Sequence, residues 1–261
     1  MFIFEQKKPI LMNFQHRKRL ILQTLEQAGT ADVHELALLL QTSDMTVRRD
    51  LIELAGQGLL YRTRGGAMRL DLANNPVRFE NKVAQRVEQK THIARLAADT
   101  LTDGDSVFLD CGSTVFQVCQ FIRHKRIQVI TNSLPVVAEL IGSVVKVNLV
   151  GGELDAGRQA VHGLMADWHM RQYRATRAFI GVDGVSVANG LSANSEYEAS
   201  TALAMAQQAT HTYLLCDSSK LEKNSYFHFA PLSLVQTLIT DVEAPPALID
   251  AYQAAGLTVL V

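Results

Sequence analysis

Two groups of residues in this 261-residue chain have types and spacing suited to chemistry. The first is Thr46, Arg48 and Arg49 in TSDMTVRRDLIEL (42–54), with Ser43 and Met45 beside them and Arg62 and Arg64 further on. In a DNA major groove arginine can pair bidentately with guanine O6 and N7, and threonine can touch base edges. The bland reading of the same residues is a solvated basic helix face. The second group is a series of short polar clusters in the back half: Asp110-Cys111-Gly112-Ser113-Thr114, Thr131-Asn132-Ser133, Gly151-Gly152, Gly181-Val182-Asp183-Gly184 and Asp217-Ser218-Ser219-Lys220. Hydroxyls and backbone N–H groups at a helix start suit an anion. Any one cluster is ordinary turn chemistry. Five in succession suggest a site for a small polyol phosphate, with the phosphate at Gly112 to Thr114 and the hydroxyls met by carboxylates and amides.

The elements around the first group must hold it outward. Val47, Leu51 and Leu54 recur at helical spacing, Ser43 is an N-cap, and Gly58 ends a helix running from Asp44 to about Gln57. Before it, Leu20, Ile21, Leu25 and Ala28 mark a helix over about 17–28 that Gly29 terminates. Asp32 and Glu35 form a capping box for a second helix to about Leu40. Gln41 then occupies a tight turn where a left-handed residue with a Cβ costs roughly 1 to 2 kcal/mol. LLYRTRGGAMRL alternates as a short hairpin with Gly65-Gly66 near its bend. Three helices and a basic ribbon make a winged helix-turn-helix over 16–70, with Arg62, Arg64 and Arg69 set to meet phosphates or the minor groove. Asp50, acidic and near the core edge, is expected to brace an arginine or a backbone amide.

Behind Asn74-Asn75-Pro76, a turn signal, the pattern changes. Strands are expected over 106–110, 127–131, 145–151, 177–183, 212–217, 236–240 and 257–261, separated mostly by helices near 90–102, 114–123, 134–141, 163–172, 195–209 and 246–254. Continuous apolar strands alternating with helices argue for a mostly parallel α/β sheet covered on both faces. The five polar clusters fall at predicted strand ends, where such folds bind ligands. The expected division is a disordered extension over 1–15, the winged helix-turn-helix over 16–70, a linker over 71–88, and an effector-sensing and oligomerisation domain over 89–261.

Composition narrows the class. Apolar residues at 48% and charged residues at 20% describe a globular chain, and a net charge of −1 excludes a protein that coats nucleic acid through bulk charge. Residues 1–80 hold 11 Lys/Arg and 9 Asp/Glu, leaving 14 and 17 for the rest, so the front is about +2 and the back about −3. DNA affinity must come from placement. Cys111, Cys119 and Cys216 have no metal spacing, which predicts reduced thiols, no disulfide and no zinc. No cofactor or other metal is expected. The opening MFIF is too short for a signal core and no apolar run reaches membrane length, so a cytoplasmic protein without membrane contact is expected.

TSDMTVRRDLIELAGQGLLYRTRGGA resembles the N-terminal signature of the DeoR/GlpR family of bacterial transcriptional regulators, including its T-V-R-R-D-L core and closing R-x-x-G-G-A. Arg64 stands where the family commonly has histidine. The resemblance continues through DCGST, TNS, GVDG, Glu198-Ala199 and DSSK and covers nearly all of 90–261. It implies a sensor domain similar in fold to ribose-5-phosphate isomerase and glucosamine-phosphate deaminase, responding to a sugar phosphate. Two positions depart from the pattern by losing positive charge: Asp155, with Arg158 three residues on, and Ala202.

The leading reading is a repressor of a carbohydrate-utilisation operon, released from a double-stranded DNA operator by a phosphorylated sugar. Paired half-sites imply a homo-oligomer, dimer or tetramer. The effector residues expected are Asp110, Gly112, Ser113, Thr114, Thr131, Asn132, Ser133, Gly151, Gly152, Asp183, Gly184, Glu198 and Lys220. The rival is a sugar-phosphate isomerase or deaminase with Glu198 and Asp183 as acid and base and Lys220 as partner. Val185, Ser186 and Val187 stand where an isomerase-like acidic run would follow the Asp-Gly turn, which disfavours it.

Overall fold

The computed structural model describes residues 13–57, 59–62, 65–68 and 79–261, with backbone only for Tyr61, Arg62 and Glu80. The expected extension over 1–15 therefore lies outside these residues up to position 12. Asn13 already caps the first helix by accepting the His16 N–H at 2.9 Å. The chain divides into two compact units, Met1–Pro76 and Val77–Val261.

The front unit contains α1 (Phe14–Ala28), β1 (Thr30–Asp32), α2 (Val33–Leu39), α3 (Asp44–Gly56), β2 (Tyr61–Arg62) and β3 (Gly66–Met68). Ile21, Leu25, Val33, Leu36, Leu40, Val47, Leu51 and Leu54 form its core, the periodic positions on the three helices. The Asp32–Glu35 capping box is present. Gln41 has φ of 49°, the left-handed conformation expected of that turn. The strands pair antiparallel in the order β1-β3-β2. β1 was not expected. It requires Gly66, where a Cβ would sit 2.0 Å from the Ala31 carbonyl oxygen.

In the back unit, seven parallel strands run in the order β15-β14-β12-β9-β4-β5-β6: Thr258–Leu260, Thr237–Ile239, Ala209–Leu215, Ala175–Ile180, Ser106–Leu109, Gln128–Thr131 and Lys146–Leu149. Phe108, Ile130, Ala178, Ile180 and Leu214 pack to one side of this sheet, and Val107, Leu109, Val129, Phe179 and Leu215 to the other. Both faces are therefore buried, as continuous apolar strands require. The covering helices are α5 (Val87–Asp99), α6 (Ser113–Phe116), α7 (Cys119–Ile122), α8 (Leu134–Leu140), α9 (Leu164–Met170), α10 (Glu196–Gln207) and α11 (Pro246–Ala254). The helix expected over 114–123 is two short pieces, α6 and α7.

Three elements were not legible in the sequence. β7 (Glu153–Asp155) and β8 (Ala160–His162) form a hairpin. β10 (Gly184–Ser186), β11 (Gly190–Ala193) and β13 (Phe227–Ala230) form a small antiparallel sheet. The third is α4 (Phe79–Val83), inside the span expected to be a linker. Phe79 holds it, stacking edge-on against Phe116 at 5.3 Å and donating its N–H to the Gly157 carbonyl. The back unit thus begins well before residue 89. No helix among the described residues is long and apolar enough to cross a membrane.

Candidate functional site

In the front unit α3 presents its outer face as expected. Val47, Leu51 and Leu54 are buried, while Met45, Arg48 and Arg49 are exposed and Thr46 is half-buried. Ser43 acts as the N-cap: its Oγ accepts the Thr46 N–H at 3.3 Å and lies 3.0 Å from the Thr46 hydroxyl. Asp50 is buried and accepts from two of the Arg17 nitrogens, Nε at 2.6 Å and an Nη at 3.0 Å. This fork ties α1 to α3 and raises the Arg17 pKa, mainly through the hydrogen bond to Asp50. The side chains of Arg62, Arg64 and Arg69 lie outside the described residues.

The back unit's strand order reverses between β4 and β9, since later strands run outward on both sides of that pair. Such a switch point leaves a crevice beyond the carboxyl ends of the two strands. A small cavity, partly open to solvent, lies there, lined by Lys82, Gly112, Ser113, Thr114, Arg158, Gly181, Val182, Asp183, Glu198, Lys220 and four apolar side chains. Of the expected effector residues it brings together Gly112, Ser113, Thr114, Asp183, Glu198 and Lys220.

The remaining expected residues do other work. Asp110 lies behind the cavity wall, accepting the Cys111 N–H at 2.7 Å and the Gly181 N–H at 3.0 Å, so it ties the loops after β4 and β9 together. Thr131, Asn132 and Ser133 are fully buried. Thr131 donates to the Leu109 carbonyl, Asn132 to the Val161 carbonyl, and Ser133 caps α8. Asn132 and Ser133 therefore seat the β7–β8 hairpin, Thr131 ties β5 to β4, and none of the three lines the cavity. Gly151 and Gly152 line a separate cleft beside α9. At Gly152 a Cβ would meet the His162 carbonyl oxygen at 2.7 Å. Gly184 is a packing glycine, because a Cβ there would lie 2.5 Å from the Lys223 carbonyl oxygen.

Two cations at the cavity stand outside the expected set. Lys82, carried by α4, donates to Asp183 at 2.9 Å, and Lys220 lies 3.8 Å from the same oxygen while donating to the Val182 carbonyl. Burial works to raise the Asp183 pKa, but Lys82, Lys220 and the Asn194 N–H outweigh it and hold the carboxyl at about 2. Arg158 comes from the β7–β8 turn, where Asp155 accepts the N–H groups of Gly157 and Arg158. The acidic residue at 155 thereby presents the cation three residues on. Arg158 pairs with Glu198, and both are largely buried. Burial pushes the Glu198 carboxyl up and Arg158 pulls it back, while Glu198 keeps Arg158 charged against its own burial. Three cations face two carboxylates, so the cavity has an excess of one positive charge.

Beside the cavity Arg86 contacts Asp217 at 3.1 Å and Glu243 at 2.6 Å. Buried Lys90 donates to the Lys82 carbonyl, and its pKa is lowered to about 8, chiefly by burial. A purely sequence-based signal for Lys82 existed only in its charge; its neighbours FENKVAQ show no periodicity. Cys111, Cys119 and Cys216 are free and buried, and burial pushes the Cys119 and Cys216 thiols up to about 12.

A helix-turn-helix unit with a cationic outer helix face, joined to an α/β unit with a charged cavity at its switch point, defines a DNA-binding regulator with a sensor domain. Residues 17–72 match the DeoR-like helix-turn-helix domain and residues 85–242 the DeoR C terminal sensor domain. The chain is 35% identical over 240 residues to the lactose phosphotransferase system repressor of Streptococcus mutans, covering 89% of this chain and 94% of that protein. It is 32% identical over 242 residues to the HTH-type transcriptional repressor GlcR of Bacillus subtilis, covering 92% and 93%. Among solved structures, ribose 5-phosphate isomerase A from Methanocaldococcus jannaschii is similar over 52% of this chain and 55% of that one, at 18% identity and a TM-score of 0.39. The chain belongs to the DeoR family of helix-turn-helix transcriptional regulators. It is a regulator and not a sugar-phosphate isomerase.

Proposed function

We propose that the protein represses a carbohydrate-utilisation operon and is released from its operator when a phosphorylated sugar enters the switch-point cavity. The observation that carries this reading is the cavity's composition: Lys82, Arg158 and Lys220 surround the Gly112-Ser113-Thr114 turn with one positive charge in excess. A phosphate at that turn gains charge-assisted hydrogen bonds from the cations. The sugar hydroxyls meet Asp183, held anionic, and Glu198. The repressor names of the relatives, one of them for a lactose phosphotransferase system, support the same direction.

On the DNA side, Thr46, Arg48 and Arg49 read base edges, with Met45 and Ser43 at the leading end of α3 and Arg62 and Arg64 on the wing. The regulator works in the cytoplasm as a homo-oligomer that places two such helices on paired half-sites. In this reading the helix-turn-helix domain spans 16–70, and the sensor domain starts early enough to include α4 and Lys82.

A thermal-shift panel of sugar phosphates tests the sensor side. A ligand held at 100 times its Kd should stabilise the protein by about 2.7 kcal/mol. Thr114→Ala and Lys220→Gln should weaken that shift while retaining operator binding in a gel-shift assay. Variants that respond to the inducing sugar phosphate with wild-type midpoint would place the effector elsewhere.

A further inference from the structure

Helix α9 is apolar on two faces. Ala166 and Met170 are buried against the sheet, while Leu164, Met165 and Trp168 point outward with exposures of 89%, 63% and 59%. Tyr197, at the start of α10, lines the same open cleft and is 64% exposed. A surface helix ordinarily carries polar residues opposite its core stripe; on α9 the polar Asp167 and His169 are instead engaged with Ser200 and Gly151, and the outward positions are apolar. The outer face of α9 is thus built to be covered.

We infer that a second copy of this chain covers it, through a two-fold contact centred on Trp168. The inference rests on the oligomeric reading above and names the surface that reading needs. The exposed parts of the four side chains come to roughly 500 to 600 Å² per protomer, against about 800 Å² per partner in a standard interface. That sum is the upper end of the largest apolar patch on a typical monomer, about 300 to 600 Å², and such patches are often functional. Exposed Glu153, Arg171 and Glu196 border the patch in sequence and supply both signs of charge. A mixed-sign rim around an apolar centre suits a self-complementary contact, in which each copy offers the other the same patch.

Light scattering coupled to size exclusion on the full chain tests this. Wild-type protein is expected to run as an oligomer, and Leu164→Asp to halve its mass. Leu164 touches little of its own chain, so the variant should keep its circular dichroism and its thermal response to sugar phosphate. Trp168 is the only tryptophan in the sequence and gives a second measurement on unaltered protein. Its emission should shift to the red when dilution separates the copies. A monomeric wild type overturns both this inference and the paired-half-site reading. An oligomer whose mass survives Leu164→Asp, or whose Trp168 emission ignores dissociation, overturns the α9 face alone and leaves the oligomer to another surface or partner.

Discussion

Lys82 and Lys220 converge on one oxygen of Asp183, and that carboxyl is held at about 2 against an ordinary 3.8. A group whose folded pKa is depressed contributes stability that is fully present above the unfolded value and is lost as pH falls through the folded one. Asp183→Asn should therefore flatten the stability curve between pH 3.8 and about 2 and lower stability at neutral pH, where both lysines lose their counter-charge. Urea denaturation across that range checks it; curves that stay parallel to wild type would refute the role. On α3 the roles of neighbours separate at single-residue resolution. Arg49→Ala should weaken specific operator binding by about 1 to 3 kcal/mol, roughly 5- to 150-fold, with folding and ligand response unchanged. Ser43→Ala should instead cost about 1 kcal/mol of stability through the lost cap. A gel shift and a thermal melt on each variant distinguish the two, and equal operator affinity for Arg49→Ala and wild type would rule the contact out.

At the scale of elements, the wing depends on a backbone approach rather than on a side-chain contact. β3 can pair with β1 only because Gly66 has no Cβ to strike Ala31. Gly66→Ala should destabilise the front unit by roughly 1 to 3 kcal/mol, the usual cost of overpacking. Proteolysis or hydrogen exchange over 28–68 should then show loosening there while the sensor unit's ligand response persists. Equal protection in both proteins would show that the strand moves aside without cost. The three helices and the seven parallel strands were legible because periodic apolar residues mark buried faces directly. β1, the β7–β8 hairpin and α4 were not. ELDAGRQAVH and FENKV carry neither period, and what holds them is distant: Asn132 and Ser133 for the hairpin, Phe116 and Gly157 for α4.

For the whole molecule, the consequence is that a cation of the proposed ligand site, Lys82, sits on the stretch of chain that leads from the front unit into the sensor. Ligand binding and operator binding should therefore be linked reciprocally. A sugar phosphate that lowers operator affinity 5- to 150-fold, a coupling of about 1 to 3 kcal/mol, must lose affinity by the same factor when operator is present. Calorimetric titration of the sugar phosphate with and without operator duplex measures this, and identical ligand affinities would show the two events to be uncoupled. The sequence by itself determined the helix-turn-helix, the parallel sheet and the polar clusters at its strand ends, because those follow from local periodicity and turn chemistry. Which clusters line the cavity was decided only by tertiary structure. All five lie at strand ends, but only those after β4, β9 and β12 contribute to the cavity at the reversal of strand order. The hairpin and α4 then bring Arg158 and Lys82 into it from positions whose local sequence marks no site, while Asn132, Gly152 and Gly184 are spent on packing.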